Sequence, residues 1–475
     1  MFDPKNTYKY NQLIEEYTLK YKVPPIKIKR MMVQAILGFF ILFIFIGIII
    51  FQLIFNNGFE ADSGIYYPDY NGTRIMIYII AGLLFGFILH RSFFGFSNAF
   101  LKGVRDSQYK LAKSLILLLI ISTIFFSFAN LLINSSNPIS STETIAHSTK
   151  ISLGFIIGGI LFGVGMNLAG SSPSGILKSF GEGGGKSFII LFSIALGSTI
   201  GLLFAYPLMG TDPTIIESGY KFLGRGKAVN FWVEWGVMKG MLLNLVILGV
   251  IYLLLLYLEK IKKEKYGIIQ NPKPDHEKDY LLNRPAYIKN ETCSRIYYFL
   301  FKRRISKKVG AILIAIITIA MYLNFDGNFG FATTFGMWGL YVTNWFVDPA
   351  SIEIIGYPIA LVDPKLAMVS SGLNGFWHDP YSWLNISVIG GAIISFLIQG
   401  NFTFRLKNVN FKIFAYCFIG GLIMGFGSAL ANGGNMANLY EATTTCSVSG
   451  YVWIALLFIT SFVFINFSHH HKHSQ

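Results

Sequence analysis

Long apolar runs, separated by short polar segments, extend over most of the chain. A helix that crosses a bilayer needs about 20 predominantly apolar residues. Ten stretches approach that length: residues 31–55, 73–90, 113–134, 150–169, 186–205, 238–258, 309–324, 383–399, 413–431 and 449–467. The pattern therefore predicts an all-α, polytopic membrane protein with about 9–10 transmembrane helices.

The basic residues predict how these helices are oriented. Residues 1–30 carry seven Lys or Arg against three acids, and residues 259–308 carry fourteen against six. Loops 56–72 and 134–149 contain no Lys or Arg. Because basic loops remain on the cytoplasmic side, both termini and the 259–308 segment are expected to face the cytoplasm of a bacterial inner membrane. The 206–237 loop breaks the pattern, since it places three basic residues outside.

The same features divide the chain into parts. We expect a cytoplasmic segment, a first transmembrane half, a basic cytoplasmic linker, a second transmembrane half and a tail. Their bounds are 1–30, 31–258, 259–308, 309–467 and 468–475. The end of the linker mixes aromatic and basic residues, so it is expected either to lie along the membrane surface or to be solvated.

Composition agrees with a membrane location and narrows the partners. The chain is 53% hydrophobic and 13% charged, whereas soluble domains carry about 25% charged residues. A net charge of +15 would suggest nucleic acid in a soluble protein. Here the basic residues flank apolar spans, so membrane lipid is the expected partner and nucleic acid is not. Cys293, Cys417 and Cys446 form no metal or disulfide pattern, and we expect no cofactor, no metal and no catalytic residue.

Two glycine-rich stretches match each other along the chain. Residues 158–169 and 420–431 agree at six of twelve positions, four of them Gly, and residues 94–100 match 329–335 at four of seven. Gly-rich packing of helices alone would explain one match, but two ordered matches favour a duplication. The predicted orientation sends the two halves in opposite directions. Such inverted repeats are typical of transporters, with the substrate site between them.

A polar stretch rich in Gly, Ser and Asn follows each repeat, at 170–175 and 432–435. Its backbone cannot face lipid, because its N–H and C=O groups would lack partners there. We expect a loop that dips into the protein and then a short re-entrant helix, both here and at 92–102 and 328–346. Four such elements near the midplane would form a constriction, and their helix N-termini would favour an anion.

In these residues the chain resembles the YeeE/YedE family of sulfur-compound transporters. The likeness runs from about residue 75 to residue 465, excluding the linker. It is carried by 158–175, Gly181-Glu182-Gly183, Arg91-Ser92-Phe93-Phe94, 420–435 and Ser449-Gly450-Tyr451-Val452-Trp453. The resemblance implies a helical inverted-repeat fold with short re-entrant helices, and transport of thiosulfate.

The chain departs from that family at three loop positions. The resemblance implies cysteines that relay thiosulfate by transient sulfur contacts, but Gly95, Ser172 and Gly434 stand there instead. Thiol chemistry is therefore impossible at these positions. A pathway of Ser, Asn and backbone donors remains, through which thiosulfate or another small solute would pass by hydrogen bonding.

The candidate pathway residues lie in the four loops. Ser172 and Asn435 are the strongest candidates, with capping of the following helix as the alternative role. The full set is Gly95, Ser97, Asn98, Ser171, Ser172, Gly330, Gly433, Gly434 and Asn435.

Four further residues are expected near a mouth or gate. His90 and Arg91 are candidates for attracting an anion, with topological anchoring as the alternative. Glu182 is expected to pair with Lys178 at a four-residue spacing, or to gate. Cys446 is the only thiol expected to approach the pathway.

The sequence therefore predicts a permease for a small inorganic anion, thiosulfate or a related sulfur-containing ion, and not an enzyme. Two alternatives remain open. One is a permease or channel of the same fold with a changed, non-sulfur substrate. The other is a membrane scaffold that delivers sulfur or selenium species to a soluble enzyme, with the basic 259–308 linker as its docking site. A soluble sulfur-carrier protein is a further candidate partner.

Overall fold

The structure, a computed structural model, is built almost entirely from helices. It describes residues 25–60, 66–67, 70–100, 109–136, 149–209, 226–266, 280, 288, 290–325, 330–343, 346, 372–400, 402–403 and 409–473. The α-helices are α1 (Pro25–Phe55), α2 (Gly72–Ser92), α3 (Lys110–Ser136), α4 (Leu153–Ala169), α5 (Pro173–Gly181), α6 (Gly185–Met209), α7 (Phe231–Trp235), α8 (Val237–Tyr266), α9 (Glu291–Tyr297), α10 (Lys307–Phe325), α11 (Phe331–Thr343), α12 (Gly372–His378), α13 (Pro380–Gln399), α14 (Phe411–Leu430), α15 (Ala442–Thr444) and α16 (Val448–His473).

Two π-helices and four very short strands complete the described elements. The π-helices are π1 (Tyr298–Lys302), which continues α9, and π2 (Asn435–Glu441), which continues into α15. The antiparallel strand pairs are β1 (Phe59–Glu60) with β2 (Tyr66–Tyr67), and β3 (Ile151–Ser152) with β4 (Gly226–Lys227).

Within the described residues, nine helical stretches are long and apolar enough to cross a membrane. They are Arg30–Phe55, Gly72–Phe100, Lys110–Leu132, Leu153–Gly181, Gly185–Phe204, Val237–Ile261, Pro380–Gln399, Phe411–Leu430 and Val448–Asn466. A tenth candidate consists of Glu291–Lys302 and Lys307–Leu323 together, two helical segments whose directions differ by 73°. The prediction of an all-α membrane protein with 9–10 spans is confirmed.

The outer surface of the bundle is apolar. Large side chains such as Phe43, Leu132 and Val246 are more than 60% exposed although they lie in these spans. In water such a surface would be unfavourable, whereas lipid tails cover it without cost. The protein is therefore a multi-pass membrane protein.

The glycine repeat forms the contact between α4 and α14. A Cβ on Gly158 would lie 2.7 Å from the carbonyl oxygen of Gly427, and one on Gly165 would lie 2.6 Å from that of Gly420. Because the partner number falls as the first number rises, the two repeats pack antiparallel. Backbones this close require Gly at the crossing. The predicted helix-to-helix role of the repeat and its inverted orientation are confirmed.

Candidate functional site

A cavity of about 90 Å³ lies where three helices begin. It has room for several water molecules, but it is much smaller than pockets for organic ligands, which span about 300–1,000 Å³. Every lining residue is uncharged: Pro173, Ser174, Gly330, Phe331, Ala332, Thr333, Asn432, Gly433, Gly434, Asn435, Met436 and Ala437.

The lining consists mainly of first helical turns. Pro173 and Ser174 open α5, residues 331–333 open α11, and residues 435–437 open π2. The first N–H groups of a helix have no acceptor within the helix. They also form the positive end of its dipole. Three positive helix ends therefore converge on one small cavity, an arrangement that suits an anion.

A fourth segment joins the other three beside this cavity. Residues 96–100 are helical, and the Ser97 hydroxyl oxygen accepts a hydrogen bond of 3.2 Å from the Ser172 backbone N–H. Ser97 and Ser172 are both buried. The four loops that the sequence singled out thus lie together.

The Ser172 side chain does not cap α5 as the alternative role required. Ser172 occupies the N-cap position, but its hydroxyl makes no capping hydrogen bond. Its oxygen is buried and has no hydrogen-bond partner in the part of the chain that the structure describes. A buried hydroxyl without a partner is costly unless a ligand or water satisfies it. Because Ser172 directly precedes the lining residues Pro173 and Ser174, its hydroxyl is available to donate a hydrogen bond to a bound ion.

The Asn435 side chain, in contrast, is already engaged. Its oxygen accepts a 3.0 Å hydrogen bond from the Trp453 indole N–H, and its amide nitrogen lies 3.7 Å from the Met166 sulfur. Asn435 thus fixes the start of π2 against α16 and α4. What it offers to the cavity is its backbone N–H.

One wall of the cavity, at Gly434, lies beside the middle of α4. A Cβ on Gly434 would be 3.3 Å from the Phe162 ring and 2.9 Å from the Ala332 Cβ. Phe162 is central in α4, which runs from Leu153 to Ala169. The stretch 432–434 therefore reaches back from the end of α14 toward the centre of the bundle.

Four more of the predicted pathway residues are Gly330, Gly433, Gly95 and Asn98. Gly330 and Gly433 line the cavity. Gly330 also accepts hydrogen bonds at its carbonyl from the hydroxyls of Thr333 and Thr334. Gly95 and Asn98 lie together, since a Cβ on Gly95 would be 3.2 Å from the Asn98 amide nitrogen.

Ser171 is partly buried beside the first turn of α5. A Cβ on Gly175 would lie 2.4 Å from its hydroxyl oxygen. Ser171, Gly95 and Asn98 are not among the residues that line the cavity.

The predicted mouth residues form a cluster at the far end of α5. The Lys178 amine lies 3.4 Å from the Glu182 carboxylate, which confirms the predicted pair. The same carboxylate oxygen of Glu182, Oε1, lies 4.0 Å from His90 Nε2. His90 is buried, and its Nδ1 is 2.8 Å from the Ser395 hydroxyl.

Arg91 is buried and is a structural anchor in this structure. Its guanidinium donates to the carbonyl oxygens of Leu300, at 2.8 Å, and of Arg303. Its own carbonyl accepts from the Ile305 N–H at 3.1 Å. Arg91 therefore binds the end of π1 and the segment after it.

Cys446 is not among the residues that line the cavity. It is fully buried beside Trp232 and Ser127, and its carbonyl accepts from the Phe231 N–H at 2.9 Å. Its φ of 62° places it in a tight turn before α16. These contacts give Cys446 a structural role in the turn.

Sequence reasoning missed several residues of the site. Ser174, Thr333 and Asn432 line the cavity, but no spacing singled them out. Trp453 was quoted only as part of a motif, yet it holds Asn435. Glu441, buried at the end of π2, also went unnoticed, although a carboxylate inside a membrane protein is a functional candidate by itself.

A polytopic helical bundle with inverted repeats and an uncharged, donor-lined cavity is a membrane transport protein. Comparison with known families makes this specific: the chain belongs to the sulphur transport family, whose model matches residues 91–463. It is also similar to the thiosulfate transporter TsuA of Spirochaeta thermophila, with 21% identity over 399 residues. That match covers 80% of this chain and 94% of the relative.

Proposed function

We propose that the protein is a bacterial inner-membrane permease that moves thiosulfate, or a related small sulfur-containing anion, through the cavity at 173–174, 330–333 and 432–437. The observation that carries this proposal is the convergence of three helix N-termini on one uncharged cavity. Membership of the sulphur transport family supports the substrate class.

The electrostatics of the cavity suit passage rather than storage. Each helix N-terminus stabilises an anion by about 0.3–1 kcal/mol, and by up to about 2 kcal/mol when partly buried. Among the described residues, no Lys or Arg lines the cavity, so the described lining supplies dipoles rather than a full positive charge. A conducting site must bind strongly enough to admit an ion and weakly enough to release it. Dipoles and amide donors without a fixed cation meet both demands.

The helices that begin at the cavity lead to both ends of the bundle. α5 ends at Gly181, where Glu182 faces His90 at the C-terminal end of α2. π2 and α15 lead instead to Ser447, which pairs with Asn230 beside the loop after α6. We propose that these opposite half-helices and their loops form the constriction, with one access route along each.

Hydrogen bonds replace thiol contacts in this proposal. Ser172 and Gly434 stand where the family resemblance implies cysteines, and the three cysteines of this chain lie elsewhere. The oxygens of thiosulfate accept hydrogen bonds, so amide N–H groups and the Ser172 hydroxyl would bind them. A soluble sulfur-carrier protein as a partner stays a prediction.

Uptake into proteoliposomes tests the proposal. Purified protein is reconstituted, and entry of labelled thiosulfate is followed with sulfite, sulfate and chloride as competitors. The proposal predicts saturable thiosulfate entry that related sulfur anions inhibit and chloride does not. Entry no faster than into empty vesicles would favour the scaffold alternative, and inhibition by chloride alone would favour a changed substrate.

A further inference from the structure

We infer that residues 291–304 form an interfacial segment, α9 with π1 and the residues after it, which lies flat at the membrane surface and binds anionic lipid headgroups. This inference does not depend on what the protein transports.

The first support is the direction of the segment. Glu291–Lys302 is bent by 73° from the following span, Lys307–Leu323. A helix nearly perpendicular to a membrane-spanning helix runs roughly parallel to the membrane plane. It lies at the end of the bundle, because the Tyr297 hydroxyl donates to the carbonyl of Ile398, near the end of α13, at 2.9 Å.

One face of the segment packs against the protein. Ser294, Tyr298 and Lys302 recur every four residues and are buried. The Tyr298 ring lies 5.2 Å from that of Tyr280, and the Tyr280 hydroxyl donates to Ser294 at 3.1 Å. These contacts fix the rotation of the helix about its axis.

The opposite face is apolar and uncovered. Ile296 is 54% exposed, Phe299 is 60% exposed and Leu300 is 52% exposed. Cys293 precedes Ile296 by three residues and Leu300 by seven, so it lies on the same face and is also exposed. A row of large apolar side chains on a helix parallel to the membrane is typical of segments buried at the boundary between headgroups and acyl chains.

The charged residues around this apolar face favour lipids with anionic headgroups. Arg304 and Lys308 are exposed just beyond the apolar row, and Arg303 and Lys307 are partly exposed beside them. The acid at the start of the helix, Glu291, pairs with Arg295 at 3.1 Å. Basic residues at a membrane surface attract anionic headgroups. A soluble acidic partner would meet the same charges, but the apolar row would then remain in water.

The segment is also tied to the candidate pathway. Arg91 donates to the carbonyls of Leu300 and Arg303 at the C-terminal end of π1, where helical carbonyls lack partners. Arg91 precedes by only a few residues the loop that leads to Ser97. A lipid that holds the segment in place therefore also steadies one of the four central loops.

A fluorophore on Cys293 tests the inference, because Cys417 and Cys446 are buried and will not react. The labelled protein is reconstituted with brominated phosphatidylglycerol or brominated phosphatidylcholine at equal mole fraction. We expect both lipids to quench the label, with an excess for phosphatidylglycerol that weakens in high salt. The double variant Arg304→Gln/Lys308→Gln should reduce the local preference for phosphatidylglycerol, by about fivefold for each charge removed.

A matched control removes the same charge elsewhere. Lys227 and Lys239 are exposed near the opposite end of the bundle, so Lys227→Gln/Lys239→Gln should leave the excess unchanged. Equal quenching by both lipids would overturn the anionic preference. Quenching by neither lipid would place the face in water and point to a soluble partner. An excess that survives in Arg304→Gln/Lys308→Gln would overturn the role of these residues.

Discussion

The backbone N–H of Ser172 donates to the hydroxyl oxygen of Ser97 across 3.2 Å, which joins two loops that are 75 residues apart in sequence. The Ser172 hydroxyl itself has no hydrogen-bond partner among the described residues. In Ser172, therefore, the backbone N–H contributes to the fold, whereas the side-chain hydroxyl is available to bind an ion. This difference allows stability and transport to be separated by mutation.

Ser97→Ala should destabilise the protein, whereas Ser172→Ala should not. The first leaves a buried N–H without its acceptor, at a cost of about 1–3 kcal/mol, and the second removes a hydroxyl that bonds to nothing. Thermal unfolding in detergent measures both effects.

For transport, in contrast to stability, the Ser172 hydroxyl should be important. A hydrogen bond to a charged group contributes about 1.5–3 kcal/mol, so Ser172→Ala should weaken thiosulfate binding roughly tenfold or more. Ser387→Ala is the control, since the Ser387 hydroxyl is also buried and has no partner among the described residues, but Ser387 is not one of the residues that line the cavity. Equal losses of uptake in both variants would count against a role for Ser172 in the pathway.

Gly425→Ala should disrupt the packing of α14 on α6. A Cβ there would lie 2.3 Å from the Ile194 carbonyl oxygen, a distance that forces backbones apart. Overpacking of this kind costs about 1–3 kcal/mol or more. Gly47→Ala is the matched control, because nothing lies within 4 Å of its Cβ position. It should be neutral or stabilising by up to about 1 kcal/mol. Similar melting temperatures for the two variants would show that the helices are not this close.

Gly434→Cys should fail to restore a thiol relay by itself. Its Cβ would lie 2.9 Å from the Cβ of Ala332, so the new side chain would push α11 away from π2. Ala332→Gly should make room for it. We expect Gly434→Cys to lose stability and uptake, and the double variant Gly434→Cys/Ala332→Gly to recover part of both. If the single variant is fully stable and active, the spacing between α11 and π2 is larger than described.

Arg91→Met should be more destabilising than Arg304→Met. The buried Arg91 side chain satisfies two carbonyl oxygens, and losing both bonds leaves them orphaned at a cost of about 1–3 kcal/mol each. Arg304 is exposed, and changes at such positions usually fall within about 0.5 kcal/mol. Chemical unfolding of the two variants in one detergent compares them directly. Equal midpoints would mean that Arg91 is not the clamp on π1.

The helical spans and the close packing of the repeats could be predicted from the sequence, because both follow from local patterns. Apolar runs of sufficient length define the spans. Four Gly residues at matching positions in residues 158–169 and 420–431 predicted that these helices pack closely against others, and the structure shows that they pack against each other. The loops after these helices were predicted to meet because their polar backbone needs partners inside the protein.

Contacts between distant parts of the chain could not be predicted, because no local pattern in the sequence marks them. The bond of Arg91 to Leu300 joins residues 209 positions apart, and basic residues beside a span more often mark topology. Capping of α5 was the alternative role for Ser172, but its hydroxyl makes no capping bond and its backbone N–H bonds to Ser97 instead. Asn435 does line the cavity, but no sequence pattern indicated that its side-chain oxygen accepts from the Trp453 indole N–H. Which atom of a polar residue is free depends on tertiary packing.

The central claim is that the anion passes by hydrogen bonds, without thiols. Uptake of labelled thiosulfate by a cysteine-free protein, with Cys293, Cys417 and Cys446 all changed to Ala, tests it most directly. Our account predicts saturable uptake close to that of the unchanged protein, since no cysteine lines the cavity. Loss of uptake in the cysteine-free protein, reproduced by Cys446→Ala alone in a protein that remains folded, would contradict it.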